Sequence, residues 1–142
     1  MSNLSAFLVQ NVEKTENIKY VVSKRFLDED QKPIEWEVRC VTSSEDEELR
    51  RNCTKRVRVP GKKNQFTNET DYNLYLGKLA AACTVYPNLN NAELQSNYGV
   101  MGADSLLKAM LLPGEYANYL TKVQEVNGFD IDFDEMVEEA KN

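Results

Sequence analysis

Ile34-Glu35-Trp36-Glu37-Val38-Arg39-Cys40-Val41 alternates apolar and polar residues without a break, which puts Ile34, Trp36, Val38 and Cys40 on one face of a strand. A helix would scatter these four side chains around its axis. Upstream, the turn-like Asp28-Glu29-Asp30-Gln31-Lys32-Pro33 separates this run from residues 17–26, where Ile18, Tyr20, Val22 and Phe26 again fall on alternate positions and Lys24 interrupts them. The two runs predict an antiparallel hairpin. Before them, Leu4, Phe7 and Leu8 have the spacing of a short amphipathic helix that Ser2 or Asn3 would cap.

Downstream, residues 43–51 predict a helix: serines at the cap, acids in the first turn, and Arg50 and Arg51 at the negative end of the helix dipole. Thr54-Lys55-Arg56-Val57-Arg58-Val59 alternates, Pro60-Gly61 supplies a turn, and Asn64-Gln65-Phe66 returns as a short strand. From Thr67 onward the period changes from two to about 3.6, and no further strand is expected. Tyr72, Leu76, Leu79, Ala80 and Cys83 mark the apolar stripe of a helix over about 69–85, ended by Tyr86-Pro87. Asn90 with Glu93 resembles a capping box for a short helix ending near Gly99. Helices are also expected over 103–111, with Leu106, Leu107 and Met110 inward, over 113–126 behind Pro113, and over 133–141 behind Asp132.

Strands first and helices after, with no repeat, predict an α+β fold: a small N-terminal antiparallel sheet of hairpins followed by a C-terminal bundle of about four to five helices. The 142 residues, 42% apolar and 28% charged, fit one domain, with a strand-rich half over 1–66 and a helical half over 67–142.

Composition narrows the chemistry. The chain has no histidine, which removes the usual general base and the commonest metal ligand. Cys40, Cys53 and Cys83 lack both the pairing of a disulfide framework and the close spacing of a zinc site. Asp130-Ile131-Asp132-Phe133-Asp134 opens like a calcium loop, but Glu135 stands where that loop needs glycine and Lys141 where it needs glutamate. No cofactor, metal or catalytic residue is expected. No run is apolar for the roughly 20 residues of a membrane helix, and the N-terminus lacks the pattern of a secretion signal, so a cytoplasmic location is expected.

The net charge of −6 is unevenly distributed. Residues 50–63 hold seven bases and no acid, between two acidic flanks. Three readings stay open for this island: a charged hairpin that discourages edge pairing, a contact with an acidic protein or the acidic C-terminal segment of a second copy, and nucleic-acid binding. The last ranks lowest, because the chain is acidic overall and only Phe66 lies nearby to stack on a base. Among the tyrosines of the helical half, Tyr75 and Tyr119 fall partly off the apolar stripes, as interface anchors do.

The segments NIKYVVSKRFLDEDQKPIEWEVR (17–39), CTKRVRVPGKK (53–63) and the run from Thr70 to Asp130 resemble the XkdN-like family of phage tail assembly chaperones, in order and over nearly the whole chain. The resemblance implies a non-enzymatic assembly factor in the cytoplasm of the bacterial host, absent from the mature tail. Its implied partner is the tape measure protein, with the tail tube protein and further copies of itself as other candidates; nucleic acid and membrane are not implied. The alternative is a structural tail component retained in the particle. A holder of an apolar helix needs an apolar groove, for which Leu106, Met110, Tyr116, Tyr119 and Val123 are candidates alongside their reading as core. Arg56, Arg58, Lys62 and Lys63 are candidate contacts for an acidic partner or a neighbouring copy.

Overall fold

The structure, a computed structural model, describes residues 3–129. It has the expected α+β fold, antiparallel strands concentrated in the N-terminal half and four of its five α-helices in the C-terminal half. The first hairpin is present. Strands β1 (Ile18–Tyr20) and β2 (Trp36–Val38) pair antiparallel, Ile18 opposite Val38 and Tyr20 opposite Trp36. Alternation does its work here: Trp36 and Val38 are buried and Glu35 is exposed.

Strand β1 is shorter than the predicted 17–26, and within the part that leaves the ladder Arg25 bonds elsewhere. Its Nη2 donates to the Met110 carbonyl oxygen at 2.8 Å, and its backbone N–H donates to the Ser23 hydroxyl at 3.2 Å. A local side-chain bond of this kind competes with a strand ladder.

Helix α1 (Ser43–Asn52) is capped by Thr42 rather than by a serine, in a reciprocal box with Glu45. Its acidic first turn and basic last turn are as predicted. Strands β3 (Thr54–Arg58) and β4 (Phe66–Thr70) follow as a separate two-stranded sheet.

Helix α2 (Tyr72–Cys83), capped by Asp71, leads directly into β5 (Thr84–Tyr86). This strand lies antiparallel on the free edge of β2, giving the sheet order β1-β2-β5. The expectation that strands end before Thr67 is therefore corrected twice, at β4 and at β5. Both lack readable alternation: β4 is FTNET, almost wholly polar, and β5 is three residues on the end of a helix.

The remaining helices are α3 (Ala92–Asn97), α4 (Ala103–Met110) and α5 (Pro113–Val126). Asn91 caps α3, accepting from the Leu94 N–H at 2.8 Å, one residue after the predicted Asn90. Proline opens α5, and Gly128 follows it with φ +83°. The last predicted helix and the calcium-like loop lie outside the described residues.

The core sits between the three-stranded sheet and helices α2, α4 and α5. Trp36 meets Tyr119 edge-on, ring centroids 5.4 Å apart, and Tyr20 stacks parallel to the same ring at 6.4 Å. Around them Leu79, Leu89, Leu106, Leu107 and Val123 are essentially inaccessible. Each such side chain contributes about 1.5–3 kcal/mol by leaving water.

Candidate partner-binding surfaces

The β3–β4 hairpin starts from the C-terminus of α1. The Thr54 hydroxyl donates to the Arg50 carbonyl oxygen at 2.7 Å and bonds the Thr70 hydroxyl at 2.8 Å, tying the base of the arm together. At the tip, the Val59 N–H donates to the Gln65 carbonyl oxygen at 2.9 Å and Gly61 takes φ +80°, a conformation that L side chains disfavour. The arm is basic and largely uncovered: Lys55, Arg56, Arg58, Lys62 and Lys63 are all exposed.

Strand register sorts these cations. Arg56 and Arg58 oppose Asn68 and Phe66, so the two arginines and the phenylalanine share one face. The Arg56 guanidinium lies 4.5 Å from the Phe66 ring centroid. The other face carries Lys55, opposite Glu69, and Val57 beside an open cleft of about 390 Å³ that also reaches Asp71 and Tyr72.

Ion pairing separates the arginines of this arm from the other arginines. Arg25 pairs with Glu115 at 2.7 Å, Arg39 with Glu45 at 3.0 Å, Arg50 with Asp46 at 3.0 Å and Arg51 with Glu47 at 3.6 Å. Among the described residues, Lys55, Arg56, Arg58, Lys62 and Lys63 make no ion pair, so every arginine outside the arm is neutralised and neither arginine within it is.

The residues expected to form an apolar groove are elsewhere. Leu106, Met110, Tyr119 and Val123 lie in the core, and burial pushes the Tyr119 hydroxyl far above the ordinary tyrosine range. They line no groove in this conformation. Tyr116 is half-buried, its hydroxyl without a hydrogen-bond partner among the described residues.

Tyr75 is likewise no surface anchor. Its hydroxyl bonds the Asp46 carboxylate and its ring lies beneath the Arg50 guanidinium at 4.5 Å; burial, then Asp46, push its pKa up to about 12. The exposed tyrosines of the helical half are Tyr72, Tyr86 and Tyr98; Tyr72 stands at the first turn of α2 instead of on its apolar stripe.

Apolar surface is exposed at a place the sequence reading gave a different role. The segment around the 3-10 turn Asn3–Phe7 does not bury its apolar side chains: Phe7 is 76% exposed and Val9 84%. With Leu4, Leu8 and Val12, also exposed, it forms an apolar strip at the N-terminus.

These surfaces can display charge and apolar area. Among the described residues no group of His, Cys, Asp and Glu is arranged to hold a metal. Burial pushes the Cys53 and Cys83 thiols up, away from the thiolate that a nucleophile requires. None of the described helices is long and apolar enough to cross a membrane.

The molecule is a packed α+β body that displays a basic arm with unpaired arginines and an exposed apolar strip. The model of the phage XkdN-like tail assembly chaperone proteins matches residues 4–141, and the chain belongs to that family. It is 32% identical to protein YqbN of Bacillus subtilis (strain 168) over 141 residues, covering 99% of this chain and 93% of YqbN. To XkdN, a protein of the phage-like element PBSX in the same organism, it is 31% identical over 141 residues, covering 99% and 94%. The crystal structure of YqbN superposes with a TM-score of 0.78 at 28% identity, over 92% of this chain and 99% of that one.

Proposed function

We propose that this tail assembly chaperone acts on the tape measure protein, holding its apolar helical surface in the bacterial cytoplasm until tail tube subunits cover it, and that it is absent from the finished tail. The observation that carries this reading is the family match over residues 4–141. The apolar strip of Phe7, Leu8 and Val9 supports it, because a client whose apolar surface awaits burial needs apolar area to rest on. Arg56, Arg58, Lys62 and Lys63 serve as polar contacts with an acidic partner surface, where charge sets encounter rate and specificity more than affinity. Leu106, Met110, Tyr119 and Val123 contribute by holding the body rigid, with Tyr116 at its margin.

Co-expression with the tape measure protein of the same phage element, followed by affinity capture and light scattering, tests the reading. A soluble complex with several copies of this chain per tape measure protein is expected. A tape measure protein that stays insoluble with or without this chain overturns it. Recovery of this chain from purified tails overturns its absence from the particle.

A further inference from the structure

The β3–β4 arm is an isolated two-stranded sheet. Such a hairpin is marginally stable in water unless something packs against it. One face presents Arg56, Arg58 and an exposed Phe66, two unpaired cations around an aromatic ring. The complementary surface is an acidic segment with apolar residues interleaved.

The chain carries such a segment itself. Residues 130–142, outside the described residues, read DIDFDEMVEEAKN: six acids, one base, and acid alternating with apolar from Asp130 to Asp134. We propose that this segment of one copy docks on the Arg56/Arg58/Phe66 face of the next copy, joining copies head to tail.

The placement of Phe129 favours a second copy over the same one. Phe129 lies beside Val41, Thr42, Ser43 and Asp46, at the N-terminal end of α1, whereas the arm begins at that helix's C-terminal end. A path within one chain runs along α1, about 15 Å for ten residues at 1.5 Å each. Along that helix stand Glu48, exposed and without an ion partner among the described residues, and Glu47, exposed and paired with Arg51 only at 3.6 Å, which disfavour an acidic segment. A neighbouring copy meets the arm without crossing them. Because arm and segment are different surfaces, the contact is heterologous, and copies add head to tail in a row or a ring instead of stopping at a symmetric pair.

The test uses the full chain alone, without tape measure protein, so it can fail independently of the function proposed above. One variant reverses the arm (Arg56→Glu, Arg58→Glu, Lys62→Glu, Lys63→Glu). The other neutralises the segment (Asp130→Asn, Asp132→Asn, Asp134→Asn, Glu135→Gln, Glu138→Gln, Glu139→Gln). Circular dichroism confirms that each variant is folded.

Light scattering of the unaltered chain is expected to show mass rising with concentration, with at least about tenfold weaker association in molar salt, where screening acts within about 3 Å. Each variant alone is expected to stay monomeric. Their mixture is expected to form a one-to-one pair and nothing larger, since only one intact arm and one intact segment remain. An unaltered chain that is monomeric at every concentration overturns the proposal and indicates docking within one copy or on another acidic protein. Association that survives in either variant alone, or a mixture that fails to pair, also overturns it.

Discussion

A Cβ atom built on Gly77 would lie 2.8 Å from the hydroxyl oxygen of Tyr116, so α2 and α5 approach closely at a point where one contributes no side chain and the other an unpartnered hydroxyl. Alanine at this helix-interior site gains up to about 1 kcal/mol in propensity. The clash opposes it, since overpacking a buried contact costs about 1–3 kcal/mol. Gly77→Ala is expected to be neutral or to lose up to about 2 kcal/mol, and Tyr116→Phe to be neutral or stabilising, as it removes a buried hydroxyl that has no partner among the described residues. Combined, they are expected to gain about 1 kcal/mol. Urea unfolding of the four chains checks this: additive effects would mean the two residues do not meet.

Leu106 was a candidate for a client groove, and its complete burial makes it a core residue. Leu106→Ala is expected to cost about 2–5 kcal/mol of stability, the range for a leucine removed from a packed interior. A loss below about 0.5 kcal/mol, the range of surface changes, would place it on the surface.

Glu115 predicts a specific acid sensitivity. The Arg25 guanidinium, the Ser23 hydroxyl and the Leu112 N–H hold its carboxyl down to about 2, whereas an unfolded glutamate titrates near about 4.3. A carboxylate depressed by folding adds stability that is fully present above the unfolded value and is lost as pH falls towards the folded one. The gap in melting temperature between the unaltered chain and Glu115→Gln is expected to be constant at neutral pH and to narrow between about pH 4.5 and pH 2. A gap independent of pH would show that the Arg25 contact does not persist in solution.

Phe7 and Val9 separate binding from stability. Because both are mostly exposed, Phe7→Ser with Val9→Ser is expected to change unfolding free energy by less than about 0.5 kcal/mol. The yield of soluble tape measure protein on co-expression is expected to fall severalfold. An unchanged yield would remove the N-terminal strip from the client surface.

The hairpin of Trp36 was legible because a half-buried strand writes its two faces into alternate residues. Strand β5 was not, since three residues cannot establish a period, and what makes Thr84–Tyr86 a strand is the open edge of β2, a tertiary fact. The polar FTNET run of β4 pairs because β3 lies beside it. For the tyrosines, helical spacing located Tyr119 on α5 but not the Trp36 and Tyr20 rings that enclose it from the sheet. The basic island was legible as composition. Its lack of ion partners, beside arginines that all have them, emerges only from the folded arrangement.

The position of β5 also sets when the protein can fold. As the chain leaves the ribosome, β2 has β1 on one edge, but its other edge awaits residues 84–86 and the ring that covers Trp36 awaits residue 119. At synthesis rates of about 5–20 residues per second, that interval is on the order of ten seconds. Until then the nascent chain offers an unpaired strand edge next to an uncovered tryptophan, the kind of surface that recruits wrong partners. For most of its own synthesis, this chain is therefore in need of protection itself.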